Sequence, residues 1–233
     1  MPSSLNLTLL LALATFAAQA ADPSEGLFDL EDLRVKITES LPFLELGVGK
    51  DRILLMRHQD PDHRIESPYD QTARDCPPYC VQPMHLAPGV ETIGELELID
   101  YLRRAAAGEP VLVIDSRTPV WTARGMIPGA VEIPYNRLDP ATSDPSDVAE
   151  LLELELGVAR VDGLWSFETA KTLVLYCNGA WCGQSPTNIR ALLNYGYPAD
   201  KLKWYRGGIQ AWEQLGLTTV RPSARDPDPP SGH

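Results

Sequence analysis

Leu173-Val-Leu-Tyr-Cys-Asn-Gly-Ala-Trp-Cys-Gly-Gln-Ser-Pro-Thr-Asn-Ile189 starts as an unbroken apolar run and ends in a helix start. A continuous run such as Leu173 to Tyr176 is what a strand buried on both faces of a parallel sheet requires. It delivers Cys177 to the strand exit. A short loop with Gly179 and Gly183 follows, and then Ser185 reads as an N-cap with Pro186 as the first helical residue. Such a loop curls its backbone N–H groups around one point, and the helix N-terminus adds partial positive charge there. A cysteine at that point has a depressed pKa and is a nucleophilic thiolate. The same cradle would hold an anion such as thiosulfate or a persulfide. Cys177 is therefore the candidate nucleophile. Asn178, Gly179, Ala180, Trp181, Cys182, Gly183, Gln184 and Ser185 are the candidate substrate-binding loop.

Outward from this segment the pattern repeats. Val111 to Ile114, Ala130 to Ile133 and Leu202 to Tyr205 are further apolar runs of strand length. Helical patterns lie between or beside them: Gly94 to Ala107 (apolar Ile93, Leu96, Ile99 and Leu102, with Gly108 as a stop), Asp147 to Leu156, Pro186 to Asn194, and Ile209 to Leu215. Alternating strands and helices predict an α/β fold, an open and mainly parallel sheet with helices on both faces. Ligands of such sheets bind beyond the carboxyl ends of the strands. Asp115 and Cys177 both fall there.

Three stretches together resemble the rhodanese family of sulfurtransferases. The first is Val111-Leu-Val-Ile-Asp-Ser-Arg117 with Ile127-Pro-Gly-Ala-Val-Glu-Ile-Pro134, where Met126 takes the place of the family's histidine. The second is Leu175-Tyr-Cys177 opening the loop. The third is Tyr205-Arg-Gly-Gly-Ile-Gln-Ala-Trp212 with Gly216-Leu217. The resemblance covers roughly residues 91 to 220. It implies that the Cys177 thiolate takes a sulfane sulfur from thiosulfate or a persulfide, carries it as a persulfide, and passes it to a thiol or to cyanide. It implies a small sulfur-containing substrate, a thiol acceptor protein as partner, and no cofactor or metal. Asp115 and Arg117 match positions that brace the loop, so they are assigned support.

The chain departs from that pattern twice. Active loops of the family commonly carry an Arg just before the serine. Here Gln184 stands in that place, residues 178–184 hold no Lys or Arg, and Cys177 to Ser185 spans eight positions, about two more than usual. Losing one charge-assisted contact costs ~1.5–3 kcal/mol, which weakens use of a doubly charged donor. Cys182 is the second departure. It either resolves a persulfide, releasing sulfide and closing a disulfide with Cys177, or is permanently oxidised and silences the site. Spacing alone does not choose between them. The alternatives to sulfur transfer are thus a thiol–disulfide redox protein using Cys177 and Cys182, and a non-catalytic binding module.

The rest of the chain sets the context. Its 32 acidic against 20 basic residues give a net charge of −12, which argues against a nucleic-acid binder or adhesion to an anionic membrane. Residues 1–20 read as a secretory signal peptide. An apolar run from Leu5 to Phe16 ends in Ala18-Gln19-Ala20, and no Lys or Arg precedes it. The run is short of the ~20 residues a spanning helix needs, so stable membrane insertion is not expected. The expected location is periplasmic or secreted. Residues 21–90 read as an irregular extension, with one strand at Arg52 to Arg57, packed on a domain at 91–221, and 222–233 as a disordered tail. In an oxidising compartment Cys76 and Cys80 read first as a structural disulfide. The sharper alternative is a soft metal set of Cys76, Cys80, Met84 and His85. His58 and His63 read as turn residues and Trp165, Trp204 and Trp212 as core. Trp181 reads either as a lid or as the wall of an acceptor pocket.

Overall fold

The computed structural model describes residues 30 and 33–221, and those from Arg34 onward belong to one compact unit. The signal-peptide reading of residues 1–20 and the tail at 222–233 lie outside the described residues. Five strands make a parallel sheet in the order β3(Glu91–Ile93), β9(Leu202–Tyr205), β8(Thr172–Tyr176), β4(Val111–Asp115), β5(Val131–Glu132). The fold is mixed α/β, with helices flanking the sheet.

The central strand shows why its sequence is apolar without interruption. Side chains alternate between the two faces of a strand. Leu173 and Leu175 join a core with Ile114, Leu202 and Trp204 beneath α4(Gln184–Asn194). Val174 and Tyr176 face the other way, into a core with Val113, Tyr205, Ile209 and Trp212 beneath α1(Glu95–Ala106) and α5(Gly208–Gln214). Both faces are covered, so polar alternation has no place. Each such side chain contributes about 1.5–3 kcal/mol on full burial.

The four runs read as strands are strands, to within one or two residues at their ends. β3 is an addition: Ile93 belongs to this edge strand, and Gly94 is the N-cap of α1, where the Glu97 carboxylate accepts from the Gly94 N–H at 3.1 Å. The buried face of α1 is Leu98, Ile99 and Leu102, while Leu96 is 52% exposed. The buried stripe therefore keeps Ile99 and Leu102 of the expected one and takes Leu98 in place of Leu96.

The segment before residue 91 is less irregular than expected. β1(Leu44–Val48) and β2(Asp51–Leu55) form an antiparallel hairpin whose Leu46 and Leu55 enter the core shared with α1 and α5. The segment also joins the C-terminal end of the sheet domain. Arg57 bridges Leu217, the Met56 N–H donates to Thr218 Oγ1 at 3.0 Å, and the His58 N–H donates to the Gly216 carbonyl.

Between β5 and β8, α3(Pro145–Glu150) is capped by the Asp144 carboxylate and continues as one wide turn over 151–155. Val148, Leu151, Leu152 and Leu156 close over the α4 side of the sheet. A second hairpin, β6(Ala159–Val161) and β7(Leu164–Ser166), turns through Asp162 and Gly163 at φ +51° and +81°. That pairing of left-handed residues suits a tight hairpin turn. Trp165 lies on β7, half-buried with the Arg160 guanidinium 4.1 Å from its ring centre, and so is less enclosed than expected. Trp204 and Trp212 are buried. A short helix α2(Pro119–Thr122) follows β4. Among the described residues no helix is long and apolar enough to cross a membrane.

Candidate functional site

β8 ends at Tyr176, and Cys177 follows at the carboxyl end of the central strand, only 3% exposed. The helix α4 begins two residues earlier than expected. Gly183 is its N-cap, which puts Ser185 and Pro186 inside the first turn. The serine has a different partner from the one a cap would have. Its hydroxyl accepts from the Trp204 indole N–H at 3.1 Å and donates to Cys177 Sγ at 3.1 Å. The indole occupies the oxygen lone pair and leaves the hydroxyl proton for the sulfur.

Other donors converge on the same atom. Burial works against a charged Cys177. The Cys182 thiol, the Ser185 hydroxyl and the backbone N–H groups of Ser185 and Gly179 all donate to its sulfur, and the balance lowers its pKa. The opposite holds for Cys182, also 3% exposed: burial and the neighbouring Cys177 push its thiol up. One buried sulfur is therefore prepared as a thiolate and the other kept protonated beside it. Both are free thiols.

The loop is held from below by α5. The Ile209 N–H donates to the Cys177 carbonyl at 3.0 Å and the Gln210 N–H to the Asn178 carbonyl at 2.9 Å. This requires a very close backbone approach at Gly208. A Cβ there would lie 2.4 Å from the Cys177 carbonyl oxygen and 2.6 Å from the Gly179 nitrogen, and φ is +59°. Only glycine fits both demands.

Asp115 and Arg117 do not touch Cys177. They form a bidentate ion pair, with Arg117 Nε and Nη2 at 2.8 and 2.7 Å from the two carboxylate oxygens, both side chains wholly buried. The pair is fully partnered. Tyr176 Oη donates to Asp115 at 2.7 Å, and Arg117 also donates to the Gly125 carbonyl and, at 2.6 Å, to Tyr69 Oη. The Tyr69 hydroxyl in turn donates to the Asn178 side-chain oxygen at 3.2 Å. Burial pushes the Tyr69 phenol up to about 12, so it keeps its proton at any physiological pH. The ion pair thus reaches the loop through a tyrosine of the N-terminal segment.

The same segment covers the loop's outer side. The Gln82 N–H donates to the Ala180 carbonyl at 2.8 Å. Trp181 is half-buried: its indole N–H donates to Gln210 at 2.6 Å, Tyr79 meets it edge-on at 5.3 Å, and the Arg74 guanidinium lies 3.9 Å from its ring centre. Gln210 completes the link by donating to the Tyr69 carbonyl at 2.8 Å. Cys76 and Cys80 are joined by a disulfide, with Cα atoms 4.8 Å apart. A disulfide offers no thiolate, so the soft metal set with Met84 and His85 is not assembled. Among the described residues no group of three or more His, Cys, Asp or Glu is placed to hold a metal ion. His58 and His63 stack, ring centres 3.7 Å apart, across a turn closed by Asp60.

The structure therefore brings the candidates together to different degrees. Cys177, Cys182 and Ser185 meet at one point, with the Gly179 N–H. Asn178 and Gln184 flank the Cys182 sulfur at 3.9 and 3.6 Å. Asp115 and Arg117 stand one residue removed. Sequence reasoning missed Tyr69, Arg74, Trp204 and Gln210. Nothing around Tyr69 or Arg74 marks them, since they are turn residues whose neighbours lie far along the chain. Gln210 and Gly208 lie within the Gly-Gly segment already singled out.

Residues 98–215 match the rhodanese-like domain family. A curated sulfurtransferase of Allochromatium vinosum is 28% identical over 131 residues, which cover 56% of this chain and 97% of that protein. Among solved structures, a human single-domain sulfurtransferase is 21% identical over 54% of this chain and 96% of its own (TM-score 0.36). A thiosulfate sulfurtransferase from Pseudomonas aeruginosa is 19% identical over 58% of this chain and 21% of its own (TM-score 0.38). Half of the chain matches the family from α1 to the end of α5, and the match includes the strand that delivers Cys177 and the helices on either side of its loop: the chain belongs to the rhodanese-like domain family of sulfurtransferases.

Proposed function

We propose that the protein moves sulfane sulfur from a donor, thiosulfate or a persulfide, to a thiol or cyanide acceptor through a persulfide on Cys177. The observation that carries this reading is a buried cysteine sulfur at a strand exit that accepts from the Ser185 hydroxyl at 3.1 Å and whose polar surroundings outweigh burial to lower its pKa. In the first step the thiolate attacks the outer sulfur of thiosulfate. The S–S bond of the donor breaks, sulfite leaves with its electron pair, and Cys177 carries the transferred sulfur. The N–H groups that met the thiolate then face the persulfide and the departing anion. Asp115 and Arg117 act as positioning residues through Tyr69 and Asn178.

The loop's own residues 178–184 bring no cation, so a persulfide of lower charge suits it better than thiosulfate. The site of action we propose is outside the cytoplasm, in the periplasm or after secretion. The N-terminal sequence and the Cys76–Cys80 disulfide support this, since disulfides persist where thiols are not kept reduced. The proposed partners are a small sulfur-containing substrate and a thiol acceptor protein.

The test is intact-mass measurement of the reduced protein after brief incubation with thiosulfate or glutathione persulfide, stopped by alkylation. A gain of one sulfur mapping to Cys177, absent in Cys177→Ser, is expected. A gain that persists in Cys177→Ser overturns the assignment.

A further inference from the structure

The transfer chemistry above has no use for a second thiol, yet Cys182 is buried against the first. The Cys177 sulfur lies 3.5 Å from the Cys182 carbonyl oxygen, both side chains are 3% exposed, and each sulfur shifts the other's protonation, Cys177 down and Cys182 up. Any acceptor from solvent must reach a sulfur that is 3% exposed, in a loop covered by Trp181, Tyr79 and Arg74. Cys182 is already inside. A neighbour held in contact reacts as if at a concentration no external thiol attains.

We propose that Cys182 attacks the sulfur-loaded Cys177, so that the protein releases the carried sulfur as sulfide and is left with a Cys177–Cys182 disulfide. This rests on the persulfide reading of Cys177. In the step, Cys182 Sγ bonds to Cys177 Sγ, and the bond from Cys177 Sγ to the terminal sulfur breaks. The electron pair leaves with the terminal sulfur, which takes up the Cys182 proton and departs as HS⁻. The carried sulfur is reduced to sulfide and the two cysteine sulfurs are oxidised to a disulfide, so the step needs no other oxidant. A dithiol reductant then restores both thiols by exchange.

The surroundings of Cys182 suit the role. Before loading, two cysteine sulfurs cannot join without an electron acceptor. Loading supplies that acceptor, since the inner sulfur of a persulfide is open to attack. Gln184, where a cation commonly stands, places its side-chain oxygen 3.6 Å from Cys182 Sγ. An arginine there would face the outgoing anion, whereas an amide oxygen can only accept the thiol's hydrogen.

The experiment uses the reduced, full-length protein under anaerobic conditions with no added thiol. It is given one equivalent of thiosulfate or, separately, of glutathione persulfide. Sulfide is assayed, and the protein is alkylated and mapped. The expected result is about one sulfide per sulfur taken up, with a Cys177–Cys182 peptide disulfide that is absent without donor. In Cys182→Ser, whatever its rate of uptake, sulfide released per sulfur taken up falls by at least about tenfold, as loss of an intramolecular partner requires. Retention of the extra sulfur on Cys177 in the wild-type protein, with no sulfide, overturns the inference and leaves the persulfide reading standing. Transfer of the extra sulfur to Cys182 also overturns it. Failure of both donors to load the wild-type protein overturns the persulfide reading, and this inference with it. If Cys182→Ser does not fold, the sulfide yield and mapped disulfide of the wild-type protein decide alone.

Discussion

The molecule contains two cysteine pairs of nearly equal spacing, and they are in opposite states. Cys76 and Cys80, four residues apart in an exposed turn, are joined. Cys177 and Cys182, five apart and buried, are separate thiols. The first turn lies near the surface, with Tyr79 packed against the Trp181 ring. Each sulfur of the second pair has partners of its own: Ser185 and two backbone N–H groups at Cys177, Asn178 and Gln184 at Cys182. A sulfur with donors around it is stabilised as a thiolate. A pair without them has only each other. Spacing permits a bridge in both places, and environment decides what the sulfurs are for.

The largest effect should come from the scaffold under the buried pair. Arg117→Ala leaves the Asp115 carboxylate buried without its cation, which costs about 3–5 kcal/mol. Chemical denaturation should show this loss, and alkylation of Cys182 in the native state should become measurable. A loss below 1 kcal/mol would mean that the pair does not support the loop.

An intermediate effect is expected at the other pair. Cys76→Ser removes a link closing a very short loop, worth about 2 kcal/mol by chain entropy. Sulfur loading at Cys177 should survive, because the two regions meet through the packing of Tyr79 and Arg74 on Trp181 and the Gln82 link to Ala180, neither of which touches the Cys177 sulfur. Abolished loading in a folded Cys76→Ser protein would break the contrast drawn between a structural and a reactive pair.

The smallest effect sharpens the link between the regions. Tyr69→Phe removes the hydroxyl joining Arg117 to Asn178, at a cost of about 1 kcal/mol. Cys177 has a lowered pKa, so its alkylation rate should rise with pH earlier than that of an ordinary thiol. In Tyr69→Phe the loop loses an anchor, and the midpoint should move upward, toward the ordinary value. An unchanged midpoint would confine Tyr69 to a structural role.

Much of this was legible in the chain itself, for identifiable reasons. Leu173 to Tyr176 and Leu202 to Tyr205 reveal strands because burial on both faces forbids polar residues, and that demand is local. The run Arg52 to Arg57 reads as a strand and contains most of β2, but β1 was not legible, because Leu44 to Val48 has only partial alternation. The displaced stripe of α1 has a similar cause: Ile93 fits helical spacing but is taken by an edge strand, which a one-dimensional pattern does not reveal.

The sequence by itself determined four of the five strands of the sheet, the position of Cys177 at a strand exit and the glycines of the loop. All of these are set by neighbours a few residues away or by the period of one element. Only the tertiary structure decided which partner each polar group has. Ser185 turns from helix capping to the Cys177 sulfur because Trp204, on another strand, occupies its oxygen. Arg117 reaches the loop through Tyr69, 48 residues earlier. The state of each cysteine follows from such contacts, because a sulfur's protonation depends on burial and on the donors around it, and those come from segments that meet only when the chain has folded.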